Sequence, residues 1–375
     1  YTAVASTSKI TGGIRRFREI LIGILERGDI VLLFAPQSYN VKNYPNLFRY
    51  NIKTFVSRIF PNSLMNFIFN LNTLRIILNI KYDHLIVFEI NYAIQLIILR
   101  LKNLIVFFRQ DFLKCREIGW LSSNSNSTIK KLWNSIIYYF LKKLEEIVIK
   151  RAKAIFVQSN FEKEILIKRH NLTGVTKNKL KVLYNNINPS WVKNFKCKEF
   201  ENQQKNQIQL HFIGSMDDGR KGLGLLLGAV ERLNRLNYSI QLTVIGSGKQ
   251  LIKYKNYYKN EKNIKFLGYL SNPLEEMIRS DLIVVPSLAD SFPNTILEAL
   301  YLEIPVIGSR VGGIPEILKY EELLFDPSED AIFNKIKNII NENKFKHLKK
   351  MILIRKEKLN FDWIERIYRI LDLVG

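Results

Sequence analysis

The chain has 375 residues, 47% hydrophobic and 12% aromatic, a composition that excludes wholesale disorder, and its length exceeds what one core usually organises. Its net charge of +23 is uneven: residues 1–200 hold 32 Lys+Arg against 12 Asp+Glu, the remainder 25 against 22. A lysine-rich composition alone would colour both halves alike, so an acidic surface, a membrane leaflet or nucleic acid, is the expected partner.

In the first half, Val4–Ser6 reads as a short strand before a Gly-Gly turn, followed by a helix over Ile14–Arg27 and a strand over Asp29–Ala35. Further strands are expected at Asp83–Glu89, Leu104–Phe108, Ala154–Ser159 and Leu180–Tyr184. Ile129–Lys150 mixes apolar, aromatic and basic residues at helical spacing. Such a helix suits an anionic membrane surface, and equally a core-facing helix with a basic outer side. The polar, strand-poor segment Lys193–Gln207 reads as a linker.

The second half alternates more regularly. Strands are expected at Gln209–Gly214, Ile240–Gly246, Ile264–Leu267, Leu282–Pro286 and Pro305–Gly308, with helices such as Leu223–Leu236 and Pro293–Leu302 between them. Alternating strands and helices imply right-handed βαβ units and a parallel sheet. A last helix is expected over Phe361–Leu373.

Several classes of site are absent from this pattern. Cys115 and Cys197 lie far apart, and His84, His170, His211 and His347 are scattered, so neither a disulfide scaffold nor a metal centre is expected. No secretory signal is readable at Tyr1. The most apolar stretch, Ile59–Leu74, carries Pro61 and four asparagines and is a poor candidate to span a bilayer. A cytoplasmic protein, peripheral on the cytosolic face of a membrane, fits these signals.

The most informative segment is DSFPNTILE, Asp290 to Glu298, which leaves the strand Leu282–Pro286. Ligands bind at the carboxyl edge of parallel sheets, and a helix that starts there offers N–H groups and a positive dipole to phosphate. Ser291 is a candidate cap, and Pro293 suits the first turn. Asp290 and Glu298 would lie about 9–10 Å apart along the axis. That is too far for an acid and nucleophile acting on one glycosidic bond. It suits two carboxylates that grip different hydroxyls of one extended ligand.

This segment, followed by ALYLEIPVIGS and then VGGIPE ending at Glu316, resembles the retaining glycosyltransferases of family 4. The resemblance implies the GT-B fold: two Rossmann-like doubly wound domains facing across a cleft. Residues 1–190, with a C-terminal helix of about residues 358–375, would form the acceptor side. Residues 191–357 would bind a nucleotide sugar. By the same resemblance Glu298 binds the donor ribose and Asp290, where the family usually has Glu, holds the transferred sugar.

FIGSMDDGRKG, Phe212 to Gly222, resembles the family's phosphate loop, with Lys221 in place and Ser215 where an arginine is usual; either Arg220 compensates for that arginine or Ser215 marks weakened donor binding. Phe292, Pro293 and Asn294 open the helix toward the donor, and Gly246, in VIGSG, lies near the nucleotide. Gly12 and Gly13 would approach the donor phosphates, with Arg15 or Arg16 either a ligand contact or a surface charge. Arg109 or Asp111 would take the place of a sugar-contacting histidine, and Trp363 would be a packing residue.

The implied reaction is retaining transfer from a nucleoside-diphosphate sugar to a glycan or lipid-linked acceptor. It needs no cofactor or metal and no specific nucleic acid. A sugar-nucleotide epimerase and a non-catalytic partner subunit are the rival readings.

Overall fold

The computed structural model describes residues 12–36, 43–52, 79–87, 104–107, 128–187, 192, 195, 207–217 and 219–374. The chain divides into two compact units, Tyr1–Tyr184 with Trp363–Gly375, and Asn185–Asp362. The expected strand Val4–Ser6, most of the linker Lys193–Gln207, and Arg109 and Asp111 lie outside the described residues.

Unit 1 begins with α1 (Gly12–Glu26), β1 (Val31–Pro36) and β2 (Leu47–Ile52). The two strands pair in parallel. Phe17, Leu21 and Leu25 recur every fourth residue on α1 and pack with Leu33 of β1, as one apolar stripe of a helix must. The Gly-Gly pair is not a turn ahead of the helix: Gly12 and Gly13 are its first two residues. A second parallel sheet runs β3 (Leu85–Val87), β4 (Leu104–Phe107), β5 (Ala154–Val157), β6 (Leu180–Val182), in that spatial order.

Between β4 and β5 lies α2 (Thr128–Arg151), and between β5 and β6 lie α3 (Asn160–His170) and α4 (Gly174–Asn178). The Ser159 side chain caps α3 by accepting from the Glu162 N–H, while the Glu162 carboxylate accepts from Gln158 N–H at 2.9 Å. Near the end of α2 the buried Glu145 meets Arg169 at 2.9 Å and His170 at 3.0 Å, so its charge is compensated where water is excluded.

Unit 2 is a six-stranded parallel sheet. Its elements are β7 (Ile208–Ile213), α5 (Leu223–Arg235), β8 (Ile240–Ile245), α6 (Leu251–Tyr257), β9 (Ile264–Gly268), α7 (Leu274–Met277), β10 (Leu282–Val285), α8 (Asn294–Tyr301), β11 (Val306–Ser309), α9 (Ile314–Leu318), β12 (Leu324–Phe325), α10 (Glu329–Asn341) and α11 (Phe345–Leu359). The final helix, α12 (Trp363–Val374), returns to unit 1. There a Cβ on Gly23 of α1 would stand 2.3 Å from Ile364, Arg27 pairs with Glu365 at 2.8 Å, and Trp363 is buried.

The spatial order β9-β8-β7-β10-β11-β12 is the doubly wound order, in which the chain starts in the middle and builds outward twice. The reversal falls between β7 and β10, paired through Leu282–Leu210 and Ile283–His211. β10, LIVV, is buried at every residue, as a strand covered on both faces requires. β7 and β8 alternate instead, IQLHFI and IQLTVI. Gln209, His211, Gln241 and Thr243 share one face, with Gln209 beside Gln241 and His211 beside Thr243. They line a cavity of about 510 Å³ with Arg279 and Glu276.

Candidate functional site

The candidate residues that follow β7 and β10 lie where the strand order reverses, at the carboxyl ends of those strands. The loop after β7 crosses to β10 and is fastened by backbone. Leu288 N–H donates to Arg220 C=O at 2.7 Å, and Gly222, at φ +68°, lies so close that a Cβ there would stand 1.8 Å from the Pro286 carbonyl oxygen. Only glycine meets both demands, the positive φ and the missing side chain.

That fastening positions Lys221. Its Nζ lies 2.5 Å from Asp290 Oδ2, joining residues 69 apart in sequence across the reversal of strand order. Lys221 keeps a quarter of its side chain exposed, whereas Asp290 is 2% exposed. A carboxylate so enclosed needs such a cation. Ser287 Oγ adds a long contact of 3.4 Å to the same oxygen.

Asp290 is held from behind as well. Its carbonyl accepts from Gly313 N–H at 3.1 Å, and a Cβ on Gly312, at φ +60°, would stand 1.7 Å from that carbonyl oxygen. The Gly-Gly of VGGIPE therefore lets the loop after β11 seat the aspartate. The other carboxylate oxygen, Oδ1, is buried with no hydrogen-bond partner among the described residues, and so is the neighbouring Ser291 Oγ. Two adjacent buried acceptors with unused capacity are uncommon, and a ligand hydroxyl is the kind of group that would complete them.

Ser291 is thus not the cap that the sequence suggests. The N-cap of α8 is Pro293, extended at φ −68° and ψ 125°, with no side-chain cap bond, and the helix begins one residue later at Asn294. Proline has no N–H to donate, so it closes the helix entrance from outside the first turn. Within that turn Ile296 N–H bonds Pro293 C=O at 3.2 Å, and Thr295 Oγ1 reaches Ile213 C=O at 3.4 Å. The latter ties the helix start to the end of β7. Asn294 is bonded to Asn185 by its side chain, and Phe292 is buried.

Glu298 sits on α8 at 4% exposure. The carboxylate expected to grip ligand hydroxyls is therefore enclosed by the protein. Ser215 is exposed, and its hydroxyl donates to Asp217 Oδ2 at 2.7 Å, while Asp217 Oδ1 accepts from Lys249 N–H at 3.2 Å. Where a cation was expected, the loop instead carries a carboxylate fixed by its neighbours. Gly246, at φ +140°, abuts the end of β7, since a Cβ would stand 1.9 Å from Gly214 O. Its glycine requirement is structural.

The structure brings Arg220, Lys221, Asp290, Phe292, Pro293, Asn294 and Glu298 onto two loops and one helix of unit 2, with Ser215 and Gly246 on adjoining strand exits. Gly12 and Gly13 belong to unit 1, and Asp111 lies outside the described residues. Sequence reasoning missed Ser287 and Gly312; the GG of VGGIPE was a visible signal, but its partner carbonyl was not. Among the described residues no group of His, Cys, Asp and Glu has the arrangement of a metal site.

Residues 194–357 match the family described as Glycosyl transferases group 1. An uncharacterized glycosyltransferase of Methanocaldococcus jannaschii is 27% identical over 272 residues, 68% of this chain and 64% of that protein. The chain spans about half the length of the curated relatives it matches. Sucrose-phosphate synthase from Thermosynechococcus elongatus superposes with a TM-score of 0.77 at 16% identity, covering 100% of this chain and 99% of that one. Anabaena HepE in complex with UDP-glucose gives 0.66 at 14%, covering 99% and 98%. At such identities the likeness establishes the fold, α/β with parallel sheets as in the GT-B glycosyltransferases.

Proposed function

We propose, from the Glycosyl transferases group 1 domain that unit 2 carries, that the chain is a retaining glycosyltransferase using a nucleoside-diphosphate sugar. The observation that carries this reading is the Lys221–Asp290 pair at the reversal of strand order, beside two buried oxygens with unused hydrogen-bonding capacity. A similar fold holding UDP-glucose supports the donor class. The acceptor we favour is a lipid-linked saccharide or another glycan precursor, met at the cytosolic face of a membrane; its support is the basic first half of the chain.

In this reaction the bond from the sugar's anomeric carbon to the diphosphate oxygen breaks, and the electron pair leaves with the phosphate. An acceptor oxygen bonds to the same face of that carbon and gives its proton to the departing phosphate. Charge accumulates on the diphosphate, where Arg220, Lys221 and the start of α8 at Phe292–Asn294 would meet it. Preorganised cations and dipoles cost no reorganisation at that moment. The reading assigns this work to side chains and backbone rather than to a metal. Asp290 would hold the transferred sugar and Glu298 the ribose.

The test is release of nucleoside diphosphate from a panel of nucleotide sugars by the purified chain, with and without EDTA. At least one donor should be cleaved, with EDTA having no effect. Lys221→Ala and Glu298→Gln should each slow release at least about tenfold, the order of a charged contact worth roughly 1.5–3 kcal/mol. Both folded variants working at the parent rate would remove the site. Glu298→Gln losing stability but not rate would make Glu298 a structural carboxylate.

A further inference from the structure

Helix α2 is the segment that the proposed chemistry leaves unused. At 100° per residue, Ile129, Trp133, Ile136 and Phe140 fall within about 60° of arc, with Leu132 and Tyr139 at its margin. All six are exposed, Trp133 and Phe140 at 62% each. The opposite side carries the buried Glu145 and Ile149, which hold the helix to unit 1. So the apolar stripe faces outward: of the two arrangements open to this sequence, the structure has the one that leaves the aromatic side uncovered.

A stripe of this kind is not an ordinary surface. Aromatic side chains carry about 150–250 Å² each, and contiguous apolar patches beyond a few hundred Å² mark an interaction site on soluble proteins. The charges on the helix narrow the partner. Thr128–Arg151 contains six Lys or Arg and two Glu, and Glu145 is already paired with Arg169 and His170 inside unit 1. Residues 1–200 add the same bias, 32 basic against 12 acidic. A second copy of the chain seated symmetrically on this helix would bring like charges together. An anionic lipid surface complements both features at once. Apolar and aromatic side chains enter the interfacial layer while lysines stay at the headgroups.

We infer that α2 is a membrane-docking helix that lies in the plane of an anionic leaflet, with Trp133, Ile136 and Phe140 inserted. This deepens the proposed function by naming the surface at which a lipid-linked acceptor would be met, and it rests on that reading only for the acceptor. No described helix is long and apolar enough to cross a membrane, so docking in the plane is the mode that α2 offers.

The experiment is flotation of the full chain with vesicles of phosphatidylcholine alone or with about a third phosphatidylglycerol, at low and high salt. Binding should be at least about tenfold stronger with the anionic lipid and weaken with salt, since the basic residues act through screened charge. The triple variant Trp133→Gln, Ile136→Gln, Phe140→Gln should lose it. Trp133 emission should shift blue on binding, a shift that Trp133→Phe removes. Parent-like binding by the triple variant, or no binding of the parent chain to either vesicle, would overturn the inference. So would self-association in lipid-free buffer that the triple variant abolishes, since the stripe would then be covered by a second copy. Donor hydrolysis in lipid-free buffer should survive the triple variant, which separates failure of the docking helix from failure of the proposed activity.

Discussion

The loops at the carboxyl edge of unit 2 and the first turns of α2 treat their side chains in opposite ways. In the loops nearly everything is spent on neighbouring groups of the protein: Lys221 on Asp290, Ser215 on Asp217, and glycines 222, 246 and 312 on backbone too close for a Cβ. On α2, eight large apolar side chains between Ile129 and Ile147 are exposed, uncovered by the described residues. A site built for chemistry must hold charges still before substrate arrives, so its parts are mutually dependent. A docking face has only to present area and charge, so its parts are nearly independent. Substitutions should therefore be costly to stability in the first region and cheap in the second.

The largest effect is expected at Gly222. Alanine there meets both the positive φ and the Pro286 carbonyl at 1.8 Å, so the loop carrying Arg220 and Lys221 must shift. A loss of about 3–5 kcal/mol is expected, seen as a fall of roughly 10 °C in the melting transition, together with loss of donor hydrolysis. Parent-like melting would show that the loop is not pinned as described.

Breaking the ion pair comes next. Lys221→Met leaves Asp290 buried and uncompensated and should cost about 3 kcal/mol, the low end for a buried pair because water reaches the lysine. Lys221→Met with Asp290→Asn should recover part of that stability without recovering activity. The double-variant cycle thus reads the coupling directly. Additive losses would mean that the two residues do not depend on each other.

The polar end of the same sheet offers an effect that depends on pH. His211 is 2% exposed, with both ring nitrogens lacking a partner among the described residues. Burial lowers its pKa from 6.5 to about 4; Asp281 opposes that shift and Arg279 adds to it. The unfolded chain then takes up a proton before the folded one does. Stability from this group is complete above about pH 6.5 and declines as pH falls toward about 4, by up to about 3 kcal/mol. His211→Gln should flatten that part of the stability profile, measured by urea unfolding at several pH values. An unchanged slope would mean that other groups set it.

Much of unit 2 was legible because a doubly wound sheet writes itself plainly. DLIVVPS and the alternating IQLTVI place strands within a residue or two, and the apolar spacing of Leu223 to Leu233 places α5. Capping was less legible: Ser291 has the right chemistry, but Pro293 takes the N-cap and leaves Ser291 buried with its hydroxyl unpaired. β2 went unread because LFRYNI reaches its partner β1 only through a parallel register that local pattern does not encode. The glycines at 222, 246 and 312 were visible as letters, but the carbonyls that forbid a side chain at them lie 22 to 64 residues away. Close approach is a tertiary property, and one sequence does not carry it.

The smallest effect is the one that most sharpens the contrast. Trp133, Ile136 and Phe140 are exposed, so glutamine at all three removes little packing, and glutamine is a good helix former. Each change should move stability by no more than about 0.5 kcal/mol, and the sum should leave the melting transition within a few degrees of the parent. Because the apolar area is already in water in the isolated chain, its removal can stabilise no less than it destabilises; the loss appears only when a lipid surface is offered. A fall of 10 °C or more would show that these side chains pack against unit 1. The outward face of α2 would then be part of the core, and the division between loops that spend their groups on one another and a face that keeps them free would not hold.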